Sequence, residues 1–164
     1  RRTDNAGAFS LSVAGTYLDE YRVKRVGVNR DCAGYFGGAC QTLNTPATTP
    51  LPKWRHSARL TWDSPYGFGL TARWRYLSKV KNSDSDAFVL DRRIGSQSYF
   101  DLALTARIED RMTFRLGANN ILDREPPIVS QSAAPISAFG NGNTYPGLYD
   151  SNGRYLFVGV SIDL

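Results

Sequence analysis

The side chains able to do chemistry are few. Cys32 and Cys40 are the only cysteines, in the glycine-rich stretch "DCAGYFGGAC". One histidine and no third cysteine make a poor zinc set. The pair is read as a local disulfide of an oxidising compartment, favoured over two free thiols. His56 and Ser57 are adjacent, and neighbours on a strand point to opposite faces, so they cannot act together as base and nucleophile. His56 reads better as an interfacial residue. "GYFGGAC" has the glycines of a phosphate loop without the Lys-Ser/Thr that follows them in one. No catalytic, metal or cofactor set emerges, and the chain is read as a non-enzyme.

The remaining chemistry is cationic, with a net charge of +5. The arginines are spread over several segments rather than massed with stacking aromatics, which argues against a nucleic-acid partner. Their placement follows from a strand pattern. Phe9, Leu11, Val13, Gly15 and Tyr17 alternate with Ser10, Ser12, Ala14 and Thr16. Trp54, His56, Ala58, Leu60 and Trp62 alternate with Arg55, Ser57, Arg59, Thr61 and Asp63; Phe68 to Tyr76, Phe100 to Ile108 and Met112 to Ala118 behave alike. The last stretch sets Leu156, Val158, Val160, Ile162 and Leu164 against Tyr155, Phe157, Gly159, Ser161 and Asp163. Such period-two patterning marks strands, and a length of about ten residues suits a tilted crossing of a bilayer.

Mean hydropathy is −0.36, and no run of about 20 apolar residues could form a membrane helix. A membrane barrel needs none, because alternate residues face lipid. From the second strand to the fifth, the apolar face carries no Asp, Glu, Lys or Arg. The opposite face carries Arg55, Arg59, Arg73, Arg75, Arg107 and Arg115 with Asp63, Asp101 and Glu109. Trp54, Tyr17 and Tyr76 lie towards one end and Trp62 and Phe68 towards the other, as in two aromatic girdles. Three connections are long (Val23 to Pro52, Ser78 to Gln97 and about Leu122 to Asn152) and alternate with tight turns near Pro65 and Asp110. Long loops outside the cell and short turns in the periplasm are the barrel arrangement.

The expected fold is therefore all-β, an antiparallel up-and-down meander of about six long strands. Single-chain barrels begin at about eight strands. The segment is thus expected to be the C-terminal piece of a larger barrel, its final strand closing on one upstream of Arg1, with Leu164 at the periplasmic rim. Two alternatives stand beside it: a small complete outer-membrane barrel with a structural or adhesion role, needing two more strands within the loops, and a soluble β-sandwich binding domain.

Several stretches resemble the TonB-dependent outer-membrane receptors. "RLGANNILDREPP" is similar to their penultimate strand, and "GNTYPGLYDSNGRYLFVGVSIDL" to their ending. "DCAGYFGGAC", "PKWRHSARLTW" and "ARWRYLSKV" resemble members with a cysteine-bridged outer loop. Ile121 and Leu164 stand where the family more often has Phe.

The resemblance implies a barrel of about 22 strands around an N-terminal plug, in the outer membrane of a Gram-negative bacterium. Residues 1–164 would be its C-terminal barrel segment, with the plug and earlier strands absent. The implied function is binding and import of a scarce nutrient (siderophore-iron, cobalamin or oligosaccharide) with energy relayed by TonB through the plug. The implied partners are that missing part, the TonB complex, outer-membrane lipid, a small-molecule substrate, and the barrel-assembly machinery reading Leu156, Val158, Val160, Ile162 and Leu164. No cofactor is implied.

For the polar face, Arg59, Arg73, Arg75, Arg107, Arg115 and Asp101 are expected to face the lumen and plug. Pairing with lumenal acids and the plug is favoured over guiding an anionic substrate. Ligand contact in the outer loops is expected from Arg22, Lys24, Arg25, Tyr35, Phe36, Phe139, Tyr145 and Tyr149; folding of these loops on themselves is the equal alternative.

Overall fold

The computed structural model of the chain describes residues 2–3, 6–25, 27–40, 49–84, 91–109, 111–130 and 143–162. Its strands are β1 (Arg2–Thr3), β2 (Gly7–Tyr17), β3 (Arg22–Arg25), β4 (Val28–Asp31), β5 (Tyr35–Phe36), β6 (Trp54–Asp63), β7 (Phe68–Leu77), β8 (Val80–Asn82), β9 (Arg93–Ile94), β10 (Gln97–Ile108), β11 (Met112–Asn119) and β12 (Tyr155–Ile162). One antiparallel sheet runs β1-β2-β6-β7-β10-β11-β12, each strand beside its predecessor in that order. It is the expected meander.

Register carries the alternation across the whole sheet. Phe9, Trp62, Leu70, Leu104, Leu116 and Val158 form one row on the apolar face, and Leu11, Leu60, Ala72, Leu102, Ala118 and Leu156 form the next. This face is not a core: Leu11 is 71% exposed and Val158 76%. In water so broad an apolar surface would drive association. A bilayer meets the same side chains at no such cost.

The two girdles are built from specific contacts. At one end, Trp54 Nε1 donates to His56 Nδ1 at 2.8 Å, and the His56 ring stacks on Tyr76 and meets Trp74 edge-on. Gly15 makes room for this cluster, since a Cβ there would lie 2.8 Å from the Trp54 ring. At the other end, Trp62 Nε1 donates to the carbonyl of Ala6 at 2.7 Å, and its ring stacks with Phe9.

The long connections hold more structure than their composition implied. β3 and β4 form a hairpin, and β5, β8 and β9 form a separate small sheet in which β5 and β8 are parallel. These strands are two to four residues long, too short for alternation to register. Among the described residues, none of the long connections contains a further strand of membrane length.

Candidate functional site

The polar face and the layer formed by the long connections hold most of the predicted site residues, while Leu156, Val158, Val160 and Ile162 lie on the apolar face of β12. On the polar face, Arg73 and Arg75 extend from β7 and Asp101 from β10. Arg75 grips Asp101 with both arms of its fork: Nε donates to Oδ2 and Nη2 to Oδ1, each at 2.8 Å. Nη2 also donates to Asp150 Oδ2 at 3.0 Å. Asp101 accepts the backbone N–H of Asn120 at 2.9 Å. Tyr99, buried beside the cluster, accepts the Asp150 N–H at its hydroxyl, and the Arg75 guanidinium lies over its ring, 5.2 Å from the centroid. The third long connection is thus tied to the sheet by the Arg75–Asp150 ion pair and the Asp150–Tyr99 hydrogen bond. Arg107 and Arg115 lie lower on the same face around a hollow that Asp63 also lines.

The family-like motifs meet in space. Asn120 is buried, and its side chain closes a turn by accepting the N–H of Arg124 at 2.8 Å and donating to the Arg124 carbonyl at 2.9 Å. Asp123 accepts the N–H of Arg154 at 2.8 Å, just before β12 begins. "NNILDR" therefore positions the entry to the last strand.

In the layer of long connections, Cys32 and Cys40 form a disulfide packed with Val23, Tyr35 and Leu51. The Asp84 carboxylate accepts the N–H groups of Gly38 and Ala39 at 2.7 and 2.8 Å, and Arg30 Nη1 donates to the Ser83 carbonyl at 2.5 Å. Gly37 is required at this seam: its φ is 108°, and a Cβ would crowd Ser83 Oγ and Asp84 Oδ2, both at 2.9 Å. Replacing both cysteines by serine is expected to cost about 2–3 kcal/mol. Proteolysis should quicken within residues 27–40, with the long strands unchanged.

A second cluster joins all three long connections: Phe36 from the first, Val80 and Ile94 from the second, Val129, Tyr145 and Tyr149 from the third. Phe36 and Tyr145 meet edge-to-face at 6.2 Å. Phe36, Tyr145 and Tyr149 are at most 1% exposed, so their rings hold the layer together rather than face a solute. Tyr35 is half-buried, with the Arg30 guanidinium 5.1 Å from its ring centre. Arg22 pairs with Glu20 at the surface, which raises its pKa, and Lys24 is exposed. The Asp31 carboxyl is held below the usual carboxylate range by the N–H groups of Ala33 and Tyr21. Phe139, Leu164 and the Arg25 side chain lie outside the described residues.

Burial pushes the Tyr149 phenol up, and its hydroxyl has no partner among the described residues. A phenol raised on folding contributes stability that is whole below its unfolded pKa of about 10 and falls as pH rises beyond it. Tyr149→Phe is expected to leave stability equal or higher at neutral pH, since an unpaired buried hydroxyl is removed. It should also blunt the alkaline loss, as thermal melts from pH 8 to 11 will record.

Asp84, Asn120, Asp123, Tyr99 and Asp150 escaped the sequence reading. The side-chain partners of Asp84, Asp123, Tyr99 and Asp150 are remote in sequence; Asn120 closes on nearby Arg124, and it and Asp123 fall inside the stretch "RLGANNILDREPP".

No family model matches the sequence, and no curated protein matches it. Solved structures do. Two variants of the ferric enterobactin receptor of Pseudomonas aeruginosa, the second in complex with enterobactin, each superpose with a TM-score of 0.56 at 14% identity. Each match covers 96% of this chain and 20% of the receptor. The chain spans about a fifth of the length of those receptors, and its fold is that of a C-terminal portion of their barrel. These neighbours are receptors rather than enzymes.

Proposed function

We propose that this chain is the C-terminal part of the barrel of an outer-membrane active-transport receptor, which binds a scarce nutrient and imports it with energy supplied through TonB. The observation that carries this reading is the partition of one continuous sheet into a broadly exposed apolar face and an arginine-lined opposite face, on a fold like that of a receptor barrel. Lipid on the first face and an aqueous, plug-filled interior on the second satisfy both. The remaining strands, the plug and the assembly machinery are the partners this reading requires.

A ferric siderophore is the favoured cargo among the nutrient classes. The polar face offers fixed positive charge, and such a surface draws anionic solutes into a confined channel. The test combines location with uptake. An antibody to residues 49–84 should find the protein in the outer-membrane fraction, and deleting its gene should abolish TonB-dependent uptake of a ferric siderophore such as ferric enterobactin. Recovery in a soluble fraction overturns the reading; outer-membrane location with uptake intact overturns the cargo.

A further inference from the structure

We propose that the concavity bounded by Arg59, Arg73 and Arg115 is an oxyanion-binding site, an inference that rests on the reading of the polar face as a barrel interior. Register sets Arg59 directly opposite Arg73 on β6 and β7, a like-charge pair that repels across a sheet. The carboxylate beside them is committed elsewhere: Asp101 takes both arms of Arg75 and the Asn120 N–H, leaving Arg73 an approach of 3.9 Å. Arg73 Nε donates to Ser57 Oγ at 3.0 Å, which orients the guanidinium. Among the described residues, neither Arg59 nor Arg115 has an ion pair.

Thr71, Ala103 and Thr105 supply small side chains between these arginines, so the face sinks there into a concavity of about 240 Å³. Asn119 and Phe157 wall its far side. Opposite Phe157, Gly117 leaves the space that ring occupies: a Cβ there would crowd the ring and lie 2.7 Å from the Leu102 carbonyl. Three arginines, two threonines and Asn119 thus line the concavity together with Asp101, whose carboxylate is already engaged by Arg75 and the Asn120 N–H. Guanidinium forks match carboxylate and phosphate. Arg75, on the same face, is already neutralised by Asp101 and Asp150 and serves as a structural tie.

The oxyanion has two possible sources, a dissolved solute or an acidic side chain within the barrel. The intact protein, purified in detergent, is titrated calorimetrically with inorganic phosphate and with citrate in chloride buffer. Saturable binding that weakens about tenfold or more in Arg73→Gln and Arg59→Gln, and not in Arg55→Gln, identifies a solute site. Absence of binding together with a salt-sensitive fall in melting temperature in Arg73→Gln alone identifies an acidic side chain. Binding unaffected by the substitutions, or no binding and no fall in melting temperature, overturns the site and leaves the transport reading to its own test.

Discussion

Leu104→Arg is expected to cost about 2–4 kcal/mol of stability in a bilayer, the cost of an arginine near the midplane on a lipid face. Ser10→Arg, at similar depth on the polar face, should stay within about 0.5 kcal/mol. Leu104 sits mid-strand between Leu70 and Leu116, on the face that the transport reading gives to lipid. Ser10 faces Thr61 across the sheet, where water or polar side chains can solvate a new charge. Urea titration of the intact protein in liposomes measures both costs. Equal stability of the two variants would mean that no bilayer meets this face, and the transport reading would fall with it.

The strands and their faces were legible because alternation is a local signal and a slip of one residue would exchange the faces. The tight turns near Pro65 and Asp110 joined β6 to β7 and β10 to β11 already in the sequence, whereas the registers that extend the row from Phe9 to Val158 cross the long connections and come from the structure. The layer of long connections was not legible. Phe36, Val80, Val129 and Tyr149 come from separate segments with no shared period, and their meeting depends on short pairings such as that of β5 with β8. An aromatic residue in a loop reads the same whether it holds a ligand or another loop.

The arginines show the same division. Pattern alone placed Arg59, Arg73, Arg75 and Arg115 on one face, and the structure puts them there. Pattern could not separate Arg75, which meets two carboxylates, from Arg59, which meets none among the described residues. What distinguishes them is Asp150, 75 residues from Arg75, in a connection whose path no local rule determines.

Asp101→Ala is expected to cost about 2–4 kcal/mol. Removing one partner of a paired charge leaves the other without compensation, and Arg75 would keep only Asp150. The N–H of Asn120, a fully buried residue, would lose its acceptor as well. The cost stays below that of a dry ion pair because Arg75 is 28% exposed and water screens part of its charge. The loss should fall on the third long connection, whose residues 143–153 are held to the sheet through Arg75–Asp150 and the Asp150–Tyr99 hydrogen bond. Faster hydrogen exchange there, with β6 and β7 unchanged, is the expected pattern. Combining Asp101→Ala with Arg75→Ala should cost less than the sum of the two, because the second substitution removes the charge that the first strands. Strict additivity would show that the two side chains do not act as a unit.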